Sequence, residues 1–220
     1  MGGAVGFEHG EGERKSASFA RPRTFRGMEL VRIAIVGPES SGKTTLCEAL
    51  MVHYQAGHVT EGTREYLEEI ARPYTEDDVL EMARGQARTH QDAPLFAAEH
   101  WEATGGADGP ATAPVEPIFF DTDTLNYVIW AREKYGRVHP VIEQLVGEVH
   151  YDWRLLCRPD IPWEPDPFRE NPHDRDRLFD LWVDELRRRA LPFTVIDGDR
   201  ARRMDTATLV VDDLLRRGRR

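Results

Sequence analysis

The most constraining feature of the chain is a short β-branched run, Val31-Arg-Ile-Ala-Ile-Val36, that stops at Gly37-Pro38 and gives way to a helical pattern from Thr44 to about Tyr54. Between strand and helix lies Gly37-Pro-Glu-Ser-Ser-Gly-Lys-Thr44, which fits G-x-x-x-x-G-K-[ST] without deviation. Glycines at both ends permit tight turns that aim successive backbone N–H groups inward, and the following helix adds its positive N-terminal end. Gly37, Pro38, Glu39, Ser40, Ser41, Gly42, Lys43, Thr44 and Thr45 are therefore expected to hold the phosphates of ATP. In that arrangement Lys43 reaches the β- and γ-phosphates and the Thr44 hydroxyl is a ligand for Mg2+.

Strand-like and helix-like segments alternate through the rest of the chain. Short strands are expected at 58–60, 117–121, 151–157 and 192–196. Helices are expected from Thr63 to about Ala71, from Thr75 towards Trp101, through Trp130 and Tyr135, and around 174–190 and 203–216. Thr75 with Asp78 three residues on has the spacing of a helix-opening cap. Repeated β–α alternation predicts an α/β fold: one domain with a five-stranded parallel sheet flanked by helices. Residues 1–28 lack a sustained apolar period and read as a disordered tail, with Met28 as an alternative start. The domain occupies 29–220, interrupted by a Gly- and Pro-rich loop over Gly105–Pro114.

Composition limits the function. A chain of 220 residues suits one such domain, and a formal net charge of -10 argues against nonspecific binding to nucleic acid or anionic lipid. No apolar run reaches the ~18 residues of a membrane helix, so the expected location is the cytoplasm. Cys47 and Cys157 both sit among apolar residues and read as buried free thiols. The histidines show no metal-ligand spacing. Oligomeric state is not legible in these features.

Phosphoryl transfer also needs carboxylates to place metal and nucleophile. Asp121 ends the apolar run Pro117-Ile-Phe-Phe-Asp121, at the strand edge where open α/β sheets gather ligands. It is the second candidate Mg2+ ligand, with helix capping as the alternative. Asp123 is a candidate for holding a substrate hydroxyl, and it too has a capping alternative. Glu61, after the second strand, is a candidate general base, and Arg64 is a candidate substrate contact; a surface Glu61–Arg64 ion pair is the bland alternative.

A Pro-rich stretch runs from Arg158 to Arg175 and carries five prolines, which exclude a continuous helix or a central strand. It reads as an ordered lid. Arg169 and Arg175 would stabilise charge on the transferring group, and Asp166 would face the acceptor. Trp163 can stack on a flat cationic ring or simply pin the loop. Tyr151 is a further candidate for the pocket border or the core, and Gly198 with Arg203 is the candidate adenine border.

Taken together, these residues resemble the ribosylnicotinamide-kinase, or NadR-like, branch of P-loop kinases. The resemblance rests on Gly37-Pro-Glu-Ser-Ser-Gly-Lys-Thr-Thr-Leu46, Glu61 with Arg64-Glu-Tyr66, Gly85-Gln86, Asp121-Thr-Asp123, Tyr151-Asp152, Pro159-Asp-Ile-Pro-Trp163 with Asp166 and Arg169, and Ile196-Asp-Gly198. It implies a nucleoside-monophosphate-kinase-like fold with ATP as donor. It also implies transfer to the 5′-hydroxyl of nicotinamide riboside, giving nicotinamide mononucleotide in NAD salvage. Some members of the branch also carry a nucleotidyltransferase with H-x-G-H or a helix-turn-helix repressor. No H-x-G-H occurs here, so adenylylation and DNA binding are not carried over. Position 167 is Pro where some relatives have Gly. The residues alone leave two rivals open: a kinase for another nucleoside or small alcohol, and an ATP-binding regulatory switch.

Overall fold

A computed structural model describes residues 23–25, 28–103, 115–166, 168–169 and 173–218, the side chains of 23–28 and 95–103 excepted. The central strand is β2 (Met28–Val36). It is buried on both faces because its side chains alternate between two cores, as the period of a strand requires. Ile33 and Ile35 pack with Phe119, Leu155, Leu46, Leu50 and Val211 on one side of the sheet. Ala34 and Val36 pack with Phe120, Leu156, Tyr127 and Trp182 on the other. Each fully buried aliphatic or aromatic side chain in these layers contributes about 1.5–3 kcal/mol.

Two short strands complete the first half of the sheet: β1 (Arg23–Phe25) and β3 (Gly57–Val59). The later ones are β4 (Val115–Asp121), β5 (Trp153–Cys157) and β6 (Phe193–Ile196). The order is β3-β4-β2-β5-β6, with all four neighbour pairings parallel, as the alternation predicts. The five parallel strands are those expected, and a sixth, antiparallel strand lies within the expected tail. Arg23–Phe25 pairs antiparallel with Met28–Leu30, before β5 joins β2 at Ile33. The pairing satisfies backbone groups that this end of β2 would otherwise leave open. The rest of the expected tail lies outside the described residues, as does the loop expected over Gly105–Pro114.

The helices are α1 (Lys43–Tyr54), α2 (Thr63–Ile70), α3 (Glu76–Ala103), α4 (Leu125–Tyr135), α5 (Pro140–Glu148), α6 (Arg175–Arg188) and α7 (Arg200–Gly218). At the start of α3 the Thr75 N–H donates to Asp78 at 2.7 Å, and the Asp78 N–H donates back to the Thr75 hydroxyl at 3.4 Å. This is the reciprocal cap read from the sequence. Helix α5 was not anticipated. Its signal was Pro140 at the first position, with the His139 ring accepting from the Val141 N–H at 3.2 Å. Among the described residues no helix is long and apolar enough to cross a membrane.

Candidate active site

Parallel pairing of β2 with β4 sets Ile35 opposite Asp121, so the last residue of β4 arrives beside the loop that leaves β2. There the Thr44 hydroxyl donates to Asp121 Oδ2 at 2.6 Å. Asp121 is buried, and its Oδ1 has no hydrogen-bond partner. Lys43, the first residue of α1, donates from Nζ to the Pro38 carbonyl at 2.9 Å, folding its ammonium over the loop. The Ser41 hydroxyl donates to the same carbonyl at 2.7 Å. Gly37 takes φ 139°, and a Cβ there would meet the Cys157 carbonyl at 2.6 Å, so no side chain fits between the loop and β5.

Glu61 follows β3 and is half-buried. Burial raises its carboxyl above the usual range and the Asp121 charge adds to this. Lys43, a hydrogen bond with Thr63 and Arg64 pull the other way without cancelling the shift. A carboxylate made more basic in this way, facing the same charges as the phosphate loop, is suited to accept a proton. Arg64 does not close on Glu61 as a surface pair. It binds Asp166 at 2.5 Å and lies over the Phe168 ring at 5.3 Å, joining the start of α2 to the Pro-rich segment.

That segment lies against the phosphate loop through Ser40. The Glu164 N–H donates to the Ser40 hydroxyl at 3.1 Å, and Arg169 reaches the same oxygen at 3.4 Å. Arg175 donates to the Ser40 carbonyl at 2.9 Å and the Ile161 carbonyl at 3.1 Å. The guanidinium carbons of Arg169 and Arg175 stand 6.0 and 5.6 Å from the centre of the Trp163 ring. Lys43, Glu61, Arg64, Asp121, Trp163, Asp166, Arg169 and Arg175 thus belong to one neighbourhood. Pro167 lies outside the described residues.

Other expected contacts are placed differently. Asp123 is fully buried: Oδ2 accepts from Arg154 Nε at 2.7 Å, and Oδ1 accepts from the Leu125 N–H at 3.0 Å. Its two oxygens serve an internal ion pair and the opening of α4, the capping alternative, rather than a substrate hydroxyl. Thr122 between the two aspartates takes φ 71°, which costs a β-branched residue about 1–3 kcal/mol. That turn sends Asp121 and Asp123 to different partners. Tyr151 is also in the core, with its hydroxyl 2.6 Å from His90 Nδ1 and its ring edge-on to Phe120.

Arg203, the candidate adenine border, is buried as well. It donates to the carbonyls of Gly198 at 2.8 Å, Ser41 at 2.7 Å and Arg158 at 2.7 Å, and it pairs with Asp160. The Gly198 N–H donates to the other Asp160 oxygen at 2.7 Å. The sequence reading gives no role to Arg154, for which a lone arginine in an apolar strand is the available signal, and quotes Asp160 only within Pro159-Asp-Ile-Pro-Trp163. Cys47 and Cys157 are free and buried, as expected.

A parallel sheet whose central strand feeds a phosphate-type loop, with an acidic strand tip alongside, defines the P-loop kinase fold. The chain belongs to the AAA domain family AAA_28, whose model matches residues 32–203. It is similar to the trifunctional NAD biosynthesis/regulator protein NadR of Escherichia coli K12, 27% identical over 175 residues. That match covers 76% of this chain and 38% of that protein. NadR of Salmonella typhimurium is also 27% identical, over 73% of this chain and 37% of its own length. The chain therefore spans less than two-fifths of these relatives. Among solved structures, a NadR protein in complex with NAD and AMP-PNP superposes with a TM-score of 0.61. It is 20% identical and covers 84% of this chain and 49% of its own. Deoxyadenosine kinase from M. mycoides superposes at 0.55, with 14% identity over 82% of this chain and 98% of its own.

The residues fit the divalent cation such a fold implies. Mg2+ prefers oxygen ligands and binds through one or two protein groups plus substrate phosphates. The Thr44 hydroxyl and the partnerless, buried Asp121 Oδ1 supply that donor set. Among the described residues no cluster of three or more His, Cys, Asp or Glu is gathered for a metal.

Proposed function

We propose that this chain transfers the γ-phosphoryl group of ATP to the 5′-hydroxyl of nicotinamide riboside, yielding nicotinamide mononucleotide and ADP. The observation that carries the reading is the Thr44–Asp121 bond beside Lys43, with Glu61 facing the same charges. The similarity to NadR, one structure of which is a complex with NR, supports the acceptor.

In this reading the phosphate-loop amides and Lys43 bind the triphosphate. Thr44 and Asp121 hold Mg2+, which when bound neutralises charge on the phosphates. Glu61 orients the acceptor hydroxyl and takes its proton as the oxygen attacks phosphorus in line with the departing ADP oxygen. Arg169 and Arg175, already in contact with Ser40, offset charge on the group in flight and exclude water. The Arg64–Asp166 pair closes the acceptor side. Trp163 flanks that side, its ring already engaged by the two arginines.

A second nucleoside kinase reading has its own support, since deoxyadenosine kinase shares the fold and neither Asp123 nor Tyr151 is presented to an acceptor. ADP release measured with Mg2+–ATP across a panel of nucleosides separates the two. Turnover is expected to be highest with nicotinamide riboside, and equal or higher rates with another nucleoside would move the acceptor assignment there. ATP binding without acceptor-dependent ADP release in any case would point to a regulatory switch.

A further inference from the structure

Two successive carbonyls of the phosphate loop are held by arginines that lie outside the loop. The Ser41 carbonyl accepts from Arg203 Nη1 at 2.7 Å, and the Ser40 carbonyl accepts from Arg175 Nη1 at 2.9 Å. Arg203 is only 5% exposed, so water does not compete for the first of these bonds. The loop also rests on this guanidinium. A Cβ at Gly42 would stand 3.5 Å from Arg203 Nη1 and 3.2 Å from the Ile161 side chain.

Among the described residues no peptide bond is cis. A trans peptide is planar, and its C=O and N–H point in opposite directions. Holding the Ser41 carbonyl towards α7 therefore turns the Gly42 N–H to the opposite side of the loop, and the hold on Ser40 turns the Ser41 N–H in the same way. Among the described residues neither N–H has an acceptor within the chain. Ser40 and Gly42 take φ 52° and 81°, left-handed turns of the kind that let neighbouring N–H groups converge on an anion. Positive charge on the carbonyl side of the Ser41–Gly42 peptide polarises it and makes its N–H a stronger donor. The remaining contacts of Arg203 reach the carbonyls of Arg158 and Gly198, just beyond β5 and β6, and the Asp160 carboxylate. The guanidinium thus fixes one loop peptide relative to the ends of two strands.

We propose that Arg203 is a positioning residue for the nucleotide phosphates, acting through the Ser41–Gly42 peptide and not on the adenine. The inference rests on the loop holding the triphosphate, and it names what aims one of the loop's donors. Arg203 itself touches no part of the nucleotide in this scheme.

The test is calorimetric binding of ADP and of inorganic tripolyphosphate, each with Mg2+, to the full chain. Arg203→Lys and Arg203→Gln are measured well below their unfolding midpoints. Both are expected to lose affinity for the two ligands alike, about tenfold or more, the scale of one charge-assisted hydrogen bond. Weaker ADP binding with tripolyphosphate unchanged would put Arg203 at the adenine and overturn the proposal. Wild-type affinity for both ligands beside a lowered Tm would leave Arg203 a structural clasp alone, and overturns it too. A second measurement needs no variant to fold. In wild type, saturating ADP or tripolyphosphate should move the Gly42 N–H resonance downfield and slow exchange of the Arg203 Nε proton with water, since coupling between two sites is reciprocal. A Gly42 signal that moves with no change at Arg203 would sink the idea. A wild-type chain that binds neither ligand would remove the nucleotide reading and this proposal together, whereas the outcomes obtained with ligand bound bear on Arg203 alone.

Discussion

Arg203 Nη1 donates to the Ser41 carbonyl at 2.7 Å, tying the first turn of the last helix to the phosphate loop across 162 residues of sequence. The same guanidinium holds Gly198, Arg158 and Asp160, so it clasps the ends of three connections at once. Arg203→Leu strands several buried acceptors and is expected to cost about 3–5 kcal/mol, lowering Tm by roughly 10 °C. Arg203→Lys should recover little of this, because an ammonium cannot span the fork of acceptors. Thermal unfolding of both variants measures it.

The Thr44–Asp121 bond gives a second prediction. Lys43→Ala and Asp121→Ala are each expected to reduce phosphoryl transfer about a thousandfold or more, the scale on which charge-stabilising groups act. Neither side chain holds the core together, so circular dichroism and Tm should stay near wild type. A coupled assay of ADP release, run beside the unfolding curves, checks both halves.

Asp123 is expected to matter through the fold. Its pair with Arg154 is almost fully enclosed, so Asp123→Ala leaves a buried guanidinium uncompensated and should cost about 3–5 kcal/mol. Replacing both partners, Asp123→Leu with Arg154→Met, should regain most of the loss. Denaturant titration of the single and double variants gives the comparison.

Acid should weaken the molecule through His90. Burial, with the nearby Arg32 charge, lowers its pKa from an ordinary 6.5 to about 3. In the unfolded chain His90 takes up a proton below about pH 6.5, whereas in the folded chain it stays neutral until about pH 3. The unfolded state therefore binds more protons in that window, so stability from this group is complete above pH 6.5 and drains away as pH falls towards 3. In His90→Leu the drop in Tm between pH 7.5 and 5 should be smaller than in wild type.

Legibility in the sequence followed the locality of the signal. The phosphate loop, the caps at Thr75–Asp78 and the apolar strands are short runs whose residues interact with near neighbours, and they were readable. Asp121 lies beside Thr44 at a strand end, and a strand end in a parallel sheet has a predictable location. Asp123, two residues on, has similar local sequence context, and one of its two partners, Arg154, lies thirty-one positions away. For Tyr151 the core alternative holds, and the contacts of Arg203 were not legible, for the same reason: a polar group's use depends on which distant partner the topology delivers. The β1 strand escaped because three residues carry no period, and α5 because its apolar face is short.

The pairing of Ile35 with Asp121 has a consequence for how the molecule comes to be active. Side chains alternate faces along a strand, so a slip of one residue in β4 would turn Asp121 away from Thr44. It would also swap Phe119 and Phe120 between the two aromatic layers. A misassembled copy could thus retain most of its sheet while losing its capacity for chemistry, which makes turnover a more sensitive gauge of correct strand alignment than helix content.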